Sequence, residues 1–156
     1  MQLRAQAELE RRRRAQIQVA PASPVLYSED ELRTYIRDKF GVTVPDVQVC
    51  PNHTTPWRAF YDAYSVKSPT VVWKASRGFG GKSFLLGLLS LVEALLTRAD
   101  VNLLGGSASQ SKNIHEQFAK FWTYPGAPRD RLAAEPNMWA TKFTGGNRVI
   151  ALAASQ

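Results

Sequence analysis

The chain has 156 residues, of which 44% are apolar and 21% charged, which excludes a disordered polypeptide and fits one modest globular domain. The formal net charge of +7 favours a polyanionic partner, although the run Arg11–Arg14 supplies four of the positive charges. The single cysteine, Cys50, excludes an internal disulfide, and the apolar stretch 84–96 is too short to span a membrane. We expect no signal peptide and a soluble protein of a reducing compartment.

Residues 1–24 are predicted to be a basic helical arm followed by a linker. Residues 1–19 are rich in helix-forming residues but contain few apolar ones, so the arm should be exposed. Pro21 and Pro24 then interrupt the helix. The arm could contact DNA phosphates or a partner subunit, and the alternative is a solvated helix whose basic face binds nothing.

Residues 25–69 are predicted to be a helical and aromatic segment that leads into the next unit. Ser28 and Glu31 have the spacing of a capping box, which predicts a helix from this point to Phe40, with Gly41 ending it. A second, shorter helix is predicted to begin after Thr55.

The aromatic part of this segment is a candidate seat for a nucleotide base, because it lies just upstream of the loop described next. An aromatic ring would stack on adenine, and a polar side chain would hydrogen-bond it. The candidates are Trp57, Phe60 and Tyr61 for stacking and His53 and Asn52 for hydrogen bonding. The alternative is that the aromatic residues, at helical spacing, form core. A metal site at His53 is excluded, because no second ligand follows at a suitable spacing.

Residues 70–83 have the order of a phosphate-binding loop. A buried strand is predicted at Thr70–Lys74, then a glycine-rich turn, then an apolar helix over residues 83–98 that should be covered on most sides. The pattern G-x-x-x-x-G-K-[ST] is met at Gly81–Ser83, whereas Ser76 replaces its first glycine. The alternative is a glycine-rich turn that merely precedes a helix.

This loop is the predicted site for ATP and Mg²⁺. Its glycines allow successive backbone N–H groups to turn toward an anion, and the following helix points its positive dipole end at the same place. Lys82 is expected to reach the β- and γ-phosphates, and the Ser83 hydroxyl to bind Mg²⁺. The residues predicted to hold the nucleotide phosphates are Ser76, Gly78, Phe79, Gly80, Gly81, Lys82 and Ser83.

Downstream of the loop, the sequence predicts a parallel α/β sheet. Val101–Gly106 is typical of a second buried strand, and with Thr70–Lys74 and the helix between them it makes a βαβ unit. A third helix is predicted to start at Ser107–Gln110, and Gly145–Asn147 predicts the tight turn of a β-hairpin. Residues 70–156 are therefore predicted to be the N-terminal part of a P-loop ATPase domain.

Hydrolysis of ATP needs a carboxylate at the end of a buried strand, which holds Mg²⁺, and usually a second one that orients the attacking water. None of the thirteen acidic residues is predicted to occupy such a position. The sequence therefore predicts nucleotide binding, does not support autonomous hydrolysis, and indicates the front part of a larger ATPase.

From residue 28 to the end, the chain resembles the large terminase subunit of tailed bacteriophages, the genome-packaging motor. The likeness rests on an ordered set of four features. These are the basic Arg77 within the phosphate loop, the lead-in segment over residues 49–60, the strand and small residues of Asn102–Ser111, and the hairpin turn Gly145–Asn147 followed by Ala153–Ser155.

The resemblance implies a RecA-like P-loop fold and an ATPase that couples hydrolysis to translocation of double-stranded DNA into a capsid. It further implies a ring homo-oligomer that works with a portal and a small terminase subunit in the host cell cytoplasm. By position, Lys82 would contact the phosphates, and Ser83 would hold Mg²⁺. Arg77 would contact the γ-phosphate in its own site or in that of a neighbouring subunit, and its alternative role is a solvated arginine.

The terminase family continues into an acidic motif, a coupling motif and an RNase H-like nuclease, none of which matches these residues, so no DNA cleavage is expected from them. Two other functions remain as alternatives. One is a different RecA-like motor, such as a helicase or recombination ATPase. The other is a non-catalytic nucleotide-binding module whose basic arm is its working surface.

Overall fold

The computed structural model describes residues 27–76 and 81–154, which form a mixed α/β structure with one small sheet. The basic arm 1–24 and the loop residues Arg77, Gly78, Phe79 and Gly80 lie outside the described residues. The α-helices are α1 (Glu29–Phe40), α2 (Pro56–Tyr64), α3 (Lys82–Val92) and α4 (Ala108–Lys120). The strands are β1 (Val101–Gly105), β2 (Ala140–Lys142) and β3 (Arg148–Ala153).

Helix α1 begins and ends where the sequence predicts. The Ser28 hydroxyl accepts a hydrogen bond from the backbone N–H of Glu31, and the Glu31 carboxylate accepts one from the N–H of Ser28 at 2.8 Å. At the other end, Gly41 adopts a left-handed conformation with φ of 63°, and its N–H bonds the carbonyl of Arg37. The capping box and the glycine stop are thus confirmed.

Helix α2 is also confirmed, with the Thr55 hydroxyl accepting from the N–H of Arg58 at 3.1 Å and Pro56 in the first turn. Helix α3 continues into a single π-helical turn, Glu93–Thr97, so that the helical segment ends close to the predicted Arg98. Short 3₁₀ turns follow α4 at Phe121–Thr123 and lie between α4 and β2 at Arg129–Arg131.

The sheet has the strand order β1-β3-β2. Strand β3 pairs with β1 in parallel and with β2 in antiparallel fashion. The predicted hairpin is confirmed, because its turn is closed by Gly146 N–H donating to the carbonyl of Phe143 at 3.0 Å. Helix α4 packs against both β1 and β3, so the parallel crossover in this structure runs from β1 through α4 to β3.

The predicted strand at Thr70–Lys74 is wrong. Residues 70–76 have no regular secondary structure, and Val71 and Val72 are 43% and 84% exposed. The sequence TVVWK has strand-forming residues, but strand propensity is realised only when a neighbouring strand supplies backbone partners, and no described strand pairs with this segment. The βαβ unit predicted between this segment and Val101–Gly106 therefore does not form in the described residues.

The core lies where α3 packs between α2 and α4. Gly87 permits the close approach of α3 and α4, since a Cβ atom at this position would lie 3.0 Å from the backbone nitrogen of Phe118. The prediction that α3 is covered on most sides holds for Leu85, Leu88 and Leu91, which are buried, whereas Phe84 and Leu86 are exposed. Within the part of the chain that the structure describes, no helix is long and apolar enough to cross a membrane.

Candidate functional site

Lys82 is the first residue of α3, and its side chain turns back toward the residues before the loop. The ammonium nitrogen Nζ donates hydrogen bonds to the backbone carbonyls of Ala75, at 2.7 Å, and Ser76, at 2.9 Å. The two ends of the segment 76–82 are therefore held together by the lysine side chain. A loop closed in this way places a cation at the base of the turn that the sequence predicts to hold phosphates.

Gly81 forms the entry into α3. Its φ of 59° is a left-handed conformation that glycine adopts without steric cost, and no atom lies within 4 Å of a Cβ built there. The first turn of α3 has neither a side-chain cap nor an acidic residue. The positive end of the helix dipole is thus not matched by a carboxylate of that turn.

Ser83, the second residue of α3, is exposed. The structure thus brings Ser76, Gly81, Lys82 and Ser83 together at one end of α3. The remaining predicted phosphate-binding residues, Gly78, Phe79 and Gly80, and the predicted catalytic Arg77 lie outside the described residues.

Trp57 and His53 are not brought to this end of α3 by any hydrogen bond or ring contact among the described residues. His53 is exposed and lies in a turn, with its backbone N–H donating to the carbonyl of Cys50 at 3.3 Å. Trp57 is only 1% exposed, so its indole has no open face on which a base could stack in this structure. Its burial fits the core role that the sequence left as an alternative.

The surroundings of Trp57 explain why it is buried. Its Nε1 donates a hydrogen bond to Oε1 of Glu29 at 2.6 Å, and the guanidinium of Arg33 lies 4.0 Å from the ring centroid. The ring also stacks on Tyr61 with an interplanar angle of 15°. The hydrogen bond from Trp57, followed by that from Arg33, lowers the pKa of the Glu29 carboxyl below its usual value.

Among the described residues, Glu93 is the carboxyl group with a raised pKa, but it lies at the far end of α3. Burial raises the pKa of the Glu93 carboxyl, whose Oε2 accepts a hydrogen bond from the Thr97 hydroxyl at 3.0 Å. Since α3 has 11 residues, its ends are roughly 16 Å apart at a rise of 1.5 Å per residue. Glu93 is thus too distant to act on phosphates held at Lys82.

Sequence reasoning missed the carbonyls of Ala75 and Ser76 as the acceptors that position Lys82. Every residue has a backbone carbonyl, so no side-chain pattern could have identified these two. Their role depends instead on where residues 75 and 76 lie relative to the start of α3.

Comparison of the chain with protein-family models, with curated proteins and with solved structures found no match. The fold class and the candidate site therefore rest on the chain's own geometry.

Proposed function

We propose that the loop over residues 76–83 binds the phosphates of ATP together with Mg²⁺. We further propose that the chain is the nucleotide-binding part of a viral DNA-packaging motor of the terminase large-subunit type. The observation that carries the proposal is the position of Lys82, whose Nζ contacts the carbonyls of Ala75 and Ser76 at the N-terminus of α3.

The charge at this site favours an anion. An ammonium group has three N–H donors, of which two are used by carbonyl acceptors, and a carbonyl does not cancel the positive charge. No ion pair joins Lys82 to a carboxylate within the described ranges 27–76 and 81–154. The first turn of α3 has no side-chain cap, so the positive end of the helix dipole adds to the positive charge of Lys82.

Most residues of the loop have a proposed role. Lys82 neutralises the β- and γ-phosphates, and the Ser83 hydroxyl is a Mg²⁺ ligand. Arg77 contacts the γ-phosphate in its own site or in a neighbouring copy, and the backbone N–H groups of Gly78–Gly80 surround the phosphates. His53 and Asn52 remain the candidates for hydrogen-bonding the base. The contribution to phosphoryl transfer is positioning and charge stabilisation.

The proposed motor acts on double-stranded DNA as a ring of identical subunits, with a portal and a small terminase subunit as partners. Its support is the ordered set of sequence features shared with that family and the net charge of +7. ATP hydrolysis also requires carboxylates beside Mg²⁺, and none among the described residues lies within ion-pair distance of Lys82. The activity proposed for these residues themselves is therefore nucleotide binding.

Calorimetric titration with Mg-ATP tests the central claim. We expect Lys82→Ala to weaken binding by roughly 10- to 100-fold, which corresponds to the loss of one charge-assisted hydrogen bond. The matched control is Lys142→Ala, because Lys142 is an exposed lysine on β2. Equal affinities of the wild type and Lys82→Ala would refute the phosphate-binding role.

A second variant distinguishes binding of the metal ion from binding of the phosphates. Ser83→Ala should reduce the affinity for Mg-ATP while leaving the affinity for ATP in EDTA unchanged, because the hydroxyl is proposed to contact only the cation. An equal loss in both conditions would assign Ser83 to the phosphates instead.

The DNA part of the proposal has its own test. Binding to a double-stranded oligonucleotide should be independent of sequence and should weaken with salt. Comparison with a chain lacking residues 1–20 measures the contribution of the basic arm, and an unchanged affinity would remove the arm from the DNA-binding surface.

A further inference from the structure

A cavity of about 120 Å³ lies beyond the C-terminal end of α3, away from the phosphate loop. It is bounded by the π-helical turn Glu93–Thr97, by the hairpin turn between β2 and β3, and by the 3₁₀ turn Arg129–Arg131. Two arginines, Arg98 and Arg131, line it, and none of its lining residues is acidic. We propose that this cavity binds a phosphate oxoanion, at a site separate from the nucleotide loop.

Hydrogen bonds fix the walls of the cavity. The Asn147 side chain, in the hairpin turn, donates from Nδ2 to the carbonyls of Ala94 at 2.8 Å and Ala99 at 3.2 Å. On another side, the backbone N–H of Thr144 donates to the carbonyl of Arg131 at 2.8 Å. The backbone segments that carry the two arginines are therefore both tied to the same hairpin, which sets the spacing between them.

The backbone of Arg98 has a conformation that is uncommon for a residue with a side chain. Its φ is 56°, in the left-handed region, at the point where the chain leaves the π-helical turn. Such conformations recur at functional sites, where the surrounding structure holds them in place. The side chain is half-buried beside the hairpin, and a Cβ built on Gly145 would lie 3.7 Å from its Cδ.

Neither guanidinium is neutralised by a strong ion pair. Among the described residues, no carboxylate lies within ion-pair distance of Arg98. The Nε of Arg131 lies 3.8 Å from Oδ2 of Asp130, and the two side chains are 56% and 80% exposed, so this pair contributes little. Two like charges on one cavity repel each other, and an anion between them would relieve that repulsion.

The chemistry of the lining selects an oxoanion. A guanidinium presents N–H donors in a planar fork that matches two oxygens of a phosphate. Thr144 also lines the cavity, and a threonine hydroxyl can donate a further hydrogen bond. The volume of about 120 Å³ is several times what one water molecule needs, so a tetrahedral anion fits. The source is either free phosphate or a phosphodiester of nucleic acid, and both present the same oxygens.

Titration of the ¹⁵N-labelled full chain with inorganic phosphate, followed by NMR, tests the site. We expect saturable shifts at the backbone amides of Arg98, Thr144 and Gly145. Each of Arg98→Gln and Arg131→Gln should weaken binding roughly 10-fold, and the double variant should abolish it. Arg37→Gln is the matched control, since Arg37 is an exposed arginine of α1 that pairs with Asp38.

Two further variants test whether phosphate binds in this cavity and not at the loop. Gly145→Ala keeps both arginines, but its Cβ would lie 3.1 Å from Oδ1 of Asn147 at the cavity wall, so we expect weaker phosphate binding. Lys82→Ala should leave the shifts at Arg98 and Thr144 unchanged, which separates this site from the phosphate loop. No saturable shift in the wild type, or the same titration in the arginine double variant, would overturn the proposal.

A competition experiment identifies the source of the anion. If the ligand is a DNA phosphodiester, a double-stranded oligonucleotide displaces phosphate from the cavity. The double variant then binds DNA with a salt slope smaller by ~0.9 for each lost contact. If the ligand is free phosphate, the duplex does not change the phosphate-induced shifts at Arg98 and Thr144. The salt dependence of DNA binding then has the same slope in the double variant as in the wild type.

Discussion

The side chain of Asn147 donates a hydrogen bond from Nδ2 to the backbone carbonyl of Ala94, a residue 53 positions earlier in the chain, at 2.8 Å. A second bond from the same nitrogen reaches the carbonyl of Ala99 at 3.2 Å. Asn147 is buried. The hairpin turn is thereby attached to the end of the helical segment that begins at Lys82.

Replacing Asn147 with alanine should destabilise the protein by about 1–3 kcal/mol, because the carbonyls of Ala94 and Ala99 lose a donor. Urea denaturation measures this change as a lower midpoint. The control is Asn113→Ala, at an exposed asparagine of α4. Equal midpoints for Asn147→Ala and the wild type would show that water or another donor replaces the amide.

A second prediction concerns Gly105, the last residue of β1. A Cβ at this position would lie 2.7 Å from the backbone nitrogen of Ser111, which cannot move without shifting the start of α4. The N–H of Gly105 also donates to the Ser111 hydroxyl at 2.8 Å. Gly105→Ala should therefore lower the free energy of unfolding by about 1–3 kcal/mol, as overpacking does in other cores.

The neighbouring Gly106 provides the matched control for Gly105→Ala. A Cβ at Gly106 would meet only the side-chain oxygen of Gln110, at 3.1 Å, and a flexible side chain can move aside. We expect Gly106→Ala to change the urea midpoint much less than Gly105→Ala. Similar losses for both substitutions would contradict the importance of the contact with Ser111.

Local sequence signals predicted the ends of elements well. The capping box of Ser28 and Glu31, the stop at Gly41 and the turn at Gly145–Asn147 all act over a few residues, so the residues concerned are visible together in the sequence. The mixed α/β class follows from these elements. The start of the apolar helix after the glycine-rich turn is also a local signal, and α3 begins at Lys82, one residue before the predicted start.

Features that depend on distant parts of the chain could not be predicted in this way. Strand formation at Thr70–Lys74 needs a partner strand, and its apolar residues alone cannot provide one. Whether Trp57 faces a ligand or the core depends on Glu29 and Arg33, which belong to another helix. The proximity of Arg98 and Arg131 likewise depends on how the hairpin packs.

A third prediction concerns pH and the buried His115. Its Nε2 lies 3.2 Å from the Thr141 hydroxyl, and burial lowers the pKa of the imidazole below 6.5, opposed by the charge of Glu116. Below pH 6.5 the unfolded chain therefore takes up a proton more readily than the folded protein. The contribution of neutral His115 to the free energy of unfolding is therefore fully present above pH 6.5. It falls as the pH decreases toward the pKa of the folded state.

Urea denaturation between pH 8 and pH 5.5 measures this effect. His115→Gln removes the titrating group and keeps a donor for Thr141, so its stability should fall less steeply on acidification than that of the wild type. His53→Gln, at the exposed second histidine, is the control. The same slope for His115→Gln and the wild type would show that other groups set the pH dependence.

The last prediction separates the two roles considered for Trp57. Trp57→Phe keeps an aromatic ring in the core but removes the hydrogen bond to Glu29, so we expect a loss of about 1–2 kcal/mol of stability. Because the indole is buried, the affinity of the folded variant for Mg-ATP should equal that of the wild type. Trp139→Phe, at an exposed tryptophan, should change stability by less than about 0.5 kcal/mol. A lower ATP affinity of Trp57→Phe without loss of stability would instead mean that the indole contacts the base, and that the segment around α2 rearranges when nucleotide binds.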